Sequence, residues 1–158
     1  MIRFWDIRTG RSTEVLTQHK KGVRALAMHA ENYTFASVDS DKLRFWKCPE
    51  GDELHNVAHP DNIVNTLATN ADNVLVSGSN EGVLRFYDWE SGHNFQMIQP
   101  QLQPGTLASE ACIHDIKFDR SSMRMITAEC DKTIKIWKED EDATPETHPI
   151  NLQAQSVY

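Results

Sequence analysis

The chain has few cysteines, few glycines and prolines, no long apolar run and no excess of positive charge. Its three cysteines, Cys48, Cys112 and Cys130, are an odd and widely spaced set. That spacing excludes a dense disulfide framework and points to a reducing compartment. Seven Gly and six Pro among 158 residues exclude collagen-like and linker-like chains. With 39% hydrophobic residues and 25% charged ones, the composition is not that of a disordered chain. No apolar stretch approaches the roughly 18 residues a spanning helix needs, so no membrane partner is expected. The opening Met1-Ile2-Arg3-Phe4-Trp5-Asp6 lacks the apolar core of a signal peptide. Lys and Arg number 16 against 23 Asp and Glu, a net charge of −7. The surplus acid follows Lys138, in Glu139, Asp140, Glu141, Asp142 and Glu146, and the rest of the chain is close to neutral. A freestanding nucleic-acid binder, basic overall or on one face, is disfavoured.

What the chain does have is a repeat. Ile2-Arg3-Phe4-Trp5, Leu43-Arg44-Phe45-Trp46, Leu84-Arg85-Phe86-Tyr87 and Ile134-Lys135-Ile136-Trp137 share one apolar-basic-apolar-aromatic pattern. The aromatic recurs at 5, 46, 87 and 137. Before the last three copies lie apolar runs at Phe35–Val38, Val74–Ser77 and Met125–Ala128, and before those at Val23–Met28, Ile63–Ala68 and Ile113–Phe118. Helical spacing of three and four is never sustained. Short runs bounded by turn formers such as Glu50-Gly51-Asp52 and Glu90-Ser91-Gly92 predict strands of about six residues. Their nearly continuous apolar character predicts small sheets stacked face to face. A period near 41, with Trp5-Asp6 closing the first copy, matches the WD-repeat β-propeller, whose blade is a four-stranded sheet.

The expected fold is therefore all-β: about three complete four-stranded blades plus one extra strand, a partial propeller. Blades are expected at 11–48, 52–89 and 94–138, after the last strand of a truncated blade at 1–7. Together these make a propeller fragment over 1–140, and an acidic tail follows over 141–158. Three blades and a strand fall short of the four to eight that close a ring. Sheet faces left open at both ends predict that the sequence is a C-terminal portion of a longer protein or a truncated gene model.

Polar residues recur within the repeat. His19, Ser37, Asp41 and Trp46 are expected to form a hydrogen-bonded chain from indole through hydroxyl and imidazole to carboxylate. The second copy keeps His59 and Ser77 beside Glu81 and Tyr87. The third keeps Thr127, Asp131 and Trp137. Catalytic chemistry is not expected. His55 and His59 would lie about 13 Å apart on a strand, no Cys pair has zinc-knuckle spacing, and there is no nucleophile elbow or phosphate-cradling loop. No metal, cofactor or small-molecule substrate is expected. Binding residues accumulate on rim loops of a rigid scaffold. One rim collects Lys20, Lys21, Arg24, Asp61, Asn62, Asn80, Glu81 and Glu129. The longer third interval adds a loop near 100–110, whose Leu102 and Leu107 suit docking.

Several stretches together carry a more specific resemblance. They are His19-Lys20-Lys21-Gly22-Val23-Arg24-Ala25, Tyr33-Thr34-Phe35-Ala36-Ser37, Asp88-Trp89, Gly92-His93-Asn94-Phe95-Gln96, Gln103-Pro104-Gly105-Thr106-Leu107, Ala128 to Lys135, and Glu146-Thr147-His148-Pro149. In that order the chain resembles the C-terminal half of the pleiotropic regulator family of WD-repeat splicing proteins. The resemblance implies a nuclear, non-catalytic scaffold of the spliceosome. It also implies membership of the Nineteen complex, with other spliceosomal proteins as partners. RNA contact is left open, and a general WD-repeat adaptor, such as a ubiquitin-ligase substrate receptor, is the alternative.

Overall fold

A computed structural model describes residues 1–29, 31–59, 63–140 and 142–144. The described residues form thirteen strands and one short 3-10 turn at Ala108–Glu110. The strands are β1 (Ile2–Asp6), β2 (Arg11–Leu16), β3 (Ala25–Met28), β4 (Thr34–Val38), β5 (Lys42–Lys47), β6 (Glu53–Ala58), β7 (Val64–Thr69), β8 (Val74–Ser79), β9 (Leu84–Asp88), β10 (Asn94–Ile98), β11 (Ile113–Phe118), β12 (Arg124–Glu129) and β13 (Ile134–Lys138). All pair antiparallel with their chain neighbours, in sheets β1-β2, β3-β4-β5-β6, β7-β8-β9-β10 and β11-β12-β13. No helix among the described residues is long and apolar enough to cross a membrane.

The thirteen strands are those expected from three fours and one, but they are dealt out as two, four, four and three. Each sequence repeat is offset from a sheet by one strand. Arg11–Leu16 pairs with Ile2–Asp6 rather than with Ala25–Met28, so the segment 11–48 supplies the outer strand of one sheet and the inner three of the next. The same offset applies to 52–89 and 94–138. The recurring aromatic ends a sequence repeat, yet in the two four-stranded sheets it lies on the third strand, β5 or β9, and not on the last. Of the tail, Glu141 and residues 145–158, including Thr147-His148-Pro149-Ile150, lie outside the described residues.

Three apolar layers hold the four sheets together. Ile2 and Leu16 meet Phe35 and Trp46 between the first and second sheets. Ala36, Val38, Leu43 and Phe45 meet Val64, Leu67, Leu75 and Tyr87 between the second and third. Ala68, Val76 and Leu84 meet Ile113, Ile116 and Met125 between the third and fourth. Strand alternation alone sends every second side chain to one face, so β4 (iBBBB) and β8 (iBBBBB), covered on both faces, are the apolar centres of their sheets. Among the described residues, the terminal sheets are covered on one face only. Ile134 and Ile136 are 73% and 69% exposed on β13, and Trp5 is 58% exposed on β1.

Close approach fixes one turn. Gly82, in the β8–β9 hairpin, has φ +77°, and a Cβ there would stand 2.3 Å from the Ala111 carbonyl oxygen. Only glycine combines that left-handed backbone with so near a neighbour. The contact seats the hairpin of the third sheet against the segment that leads into β11.

Candidate functional site

Antiparallel strands bring the β4–β5, β8–β9 and β12–β13 turns to the same end as the segments entering β3, β7 and β11. This end is the rim on which the candidate residues were expected. Beneath it run three hydrogen-bonded supports, one in each of the last three sheets.

The first support is complete. Trp46 is fully buried, and its Nε1–H donates to Ser37 Oγ at 2.7 Å. Ser37 Oγ lies 2.6 Å from His19 Nε2, and His19 Nδ1 lies 2.8 Å from Asp39 Oδ2. With a neutral imidazole the donors run in one direction, indole to hydroxyl to imidazole to carboxylate. The carboxylate is Asp39 and not Asp41. Ser37 and Asp39 are two residues apart, so the strand's alternation puts both on one face. Asp41 lies beyond the turn and is exposed, taking Lys21 Nζ at 2.7 Å. Burial opposes ionisation of Asp39. Even so, hydrogen bonds from the Asp41 N–H, the His19 ring and the Lys42 N–H hold its carboxyl at about 2.

The second support uses the corresponding His and Ser positions. His59 Nε2 lies 3.3 Å from Ser77 Oγ, and Tyr87 stands where the first sheet has Trp46, its ring 6.1 Å from that of His59. Ser79 takes the place of Asp39 and accepts the Val83 N–H at 3.0 Å. In the third support Trp137 Nε1–H donates to Thr127 Oγ1 at 3.0 Å, and Thr127 donates to Glu129 Oε1 at 2.9 Å. Lys135 Nζ bridges Glu129 and Asp131. Asp131 also takes the Thr133 N–H at 3.0 Å and the Gln103 N–H at 3.2 Å. Its carboxyl is held at about 2, chiefly by the Thr133 hydroxyl and against burial. Glu129, expected on the exposed rim, is therefore buried and belongs to this support. The place of the imidazole is filled by a carboxylate whose charge Lys135 balances. Burial opposes the charge on Lys135, but the hydrogen bonds it donates to the Glu129 and Asp131 carboxylates raise its pKa.

On the rim itself Lys20, Lys21 and Arg24 are exposed, as are Asn80 and Glu81. Asp61 and Asn62 lie outside the described residues. In the enlarged loop Leu107 is exposed and Leu102 half-buried. The Gln103–Asp131 hydrogen bond ties this loop to the third support.

One group went unread in the sequence. Cys112, His114 and Cys130 bring two thiols and an imidazole within 4.8 Å of one another. Cys130 Sγ lies 3.0 Å from His114 Nε2. Burial, with Cys130 beside it, pushes the Cys112 thiol up to about 11. Cysteines eighteen positions apart carry no metal-site spacing. Only the β11–β12 hairpin brings them face to face.

Comparison with known proteins agrees with the repeat fold. The WD domain, G-beta repeat family matches residues 10–47, 51–88 and 103–138, and the chain belongs to that family. Its aligned relatives are more specific. It is 48% identical over 145 residues to Protein pleiotropic regulator PRL2 of Arabidopsis thaliana, covering 91% of this chain and 30% of that protein. It is 47% identical over 134 residues to Pleiotropic regulator 1 of Mus musculus, covering 85% and 26%. It is 42% identical over 141 residues to Pre-mRNA-splicing factor PRP46 of Candida glabrata, covering 89% and 33%. The chain thus spans about a third or less of the length of these curated relatives.

Proposed function

We propose that the chain is a non-catalytic WD-repeat scaffold of pre-mRNA splicing, acting in the nucleus as part of the spliceosome-associated Nineteen complex. In this reading it holds other spliceosomal proteins on its rim during spliceosome activation. The observation that carries the proposal is the 42% identity, over 89% of the chain, to a protein named as a pre-mRNA-splicing factor. The geometry supports it. The buried polar residues form supports whose groups are consumed by one another, Trp46 to Asp39 and Trp137 to Lys135. Such closed networks stiffen a rim and position what stands on it. Lys20, Lys21, Arg24 and the loop carrying Leu102 and Leu107 are the contacts we assign to partners.

Affinity purification of the tagged protein from cells tests this. Spliceosomal proteins and small nuclear RNAs should accompany it. Recovery of cullin-type ligase subunits in their place would replace the splicing reading with that of a ubiquitin-ligase adaptor.

A further inference from the structure

Among the described residues, three soft or borderline metal donors converge at one point, and it lies on the rim. Cys112 immediately precedes β11, and Cys130 opens the β12–β13 turn. The Cys130 N–H donates to the Cys112 carbonyl at 2.8 Å, which sets the two cysteines opposite each other across the hairpin. The β11–β12 register shifts between Ile113 and Asp115, so His114 is the extra residue of a bulge. Such bulges re-aim a side chain. Here the bulge lets Ile113 and Ile116 both enter the core while the imidazole of His114 turns to the cysteines.

We propose that Cys112, His114 and Cys130 form a Cys2His site for a borderline-soft divalent cation, zinc. Tetrahedral zinc has bonds of about 2.3 Å to sulfur and 2.0–2.1 Å to nitrogen. Its donors therefore stand roughly 3.5–3.8 Å from one another. The group found here, all within 4.8 Å and with one sulfur–nitrogen separation of 3.0 Å, brackets that spacing. A thiolate pair with an imidazole suits zinc over the hard, oxygen-seeking cations. Outer contacts are in place as well. Asn65 Nδ2 on β7 lies 3.1 Å from Cys112 Sγ and 2.9 Å from the Ile113 carbonyl, so an amide of the adjacent sheet orients the buried sulfur. Such supporting donors hold ligands in position at metal sites. Binding releases the two thiol protons to solvent and leaves two thiolates, one imidazole and a fourth position open to water or a partner's side chain. A metal here would clamp the end of the long loop to the β12–β13 turn and stiffen the rim.

The test uses the untagged full chain, kept reduced with a phosphine and free of chelator. Elemental analysis after Zn2+ loading and desalting should give one zinc per chain. Co2+ should give the near-ultraviolet thiolate charge-transfer band and the intense visible bands of a four-coordinate site. His114 is exposed, so His114→Ala should leave far-UV circular dichroism unchanged. It should weaken Zn2+ binding at least tenfold, and Cys130→Ser should cut the charge-transfer band at least by half. Sub-stoichiometric zinc in the folded wild-type protein would overturn the proposal. So would affinity unchanged in both variants, or a Cys112–Cys130 disulfide persisting under the reductant.

Discussion

Asp39 Oδ2 sits 2.8 Å from His19 Nδ1, twenty residues away in the chain, and this contact closes the hydrogen-bonded support behind the buried indole of Trp46. The carboxylate also takes the backbone N–H groups of Asp41 and Lys42, at 2.7 and 2.9 Å. One side chain thus shapes the β4–β5 turn and anchors the segment entering β3.

Trp46 packs on Phe35, with rings 6.1 Å apart, and lies in the layer between the first two sheets. Trp46→Ala should cost about 3–5 kcal/mol, as for other buried aromatic truncations. Trp46→Phe keeps most of the packing and removes only the donor to Ser37, costing about 1 kcal/mol for the lost hydrogen bond. Urea denaturation of the three proteins separates the two contributions.

The neighbouring aspartates should part company. Asp39→Ala leaves His19 without its buried acceptor and should cost about 1–3 kcal/mol. Asp41→Ala removes only an exposed pair with Lys21 and should change stability by less than about 1 kcal/mol. Equal melting temperatures for the two variants would show that the carboxylate at 39 does not carry the support.

Acid should act through the same residue. The Asp39 pKa falls from 3.8 to about 2 on folding, so its contribution is complete above pH 3.8. That contribution is lost as the pH falls toward 2. The drop corresponds to about 2 kcal/mol. In Asp39→Asn this part of the acid limb should flatten, read from denaturation midpoints at stepped pH.

Gly82→Ala should destabilise the chain by about 1–2 kcal/mol through its positive φ alone. The added methyl must also displace Ala111. The disturbance should reach Cys112, the next residue, and raise its rate of modification by a thiol reagent in the folded protein. An unchanged rate would mean that the hairpin does not brace that segment.

Much of this architecture could be read from recurring aromatics. Trp5, Trp46, Tyr87 and Trp137 fall on β1, β5, β9 and β13, and Trp46 and Tyr87 lie on the third strand of their four-stranded sheets. The rest depended on contacts that no linear pattern records. The choice of Asp39 over Asp41 turns on which side of a tight turn each carboxylate leaves. Glu129 looks like a surface acid until Thr127 and Lys135 are seen closing around it. Cys112 and Cys130 meet only because a hairpin pairs them, and His114 joins them only through a bulge. The offset between repeat and sheet was hidden because β2 is polar and exposed along most of its length, leaving little apolar signal to assign it to β1.

The most direct test of the splicing account is to deplete the protein from cells and sequence total RNA. Introns should be retained widely, and splicing should recover when the wild-type protein is restored. Splicing that proceeds unchanged after complete depletion would contradict the account.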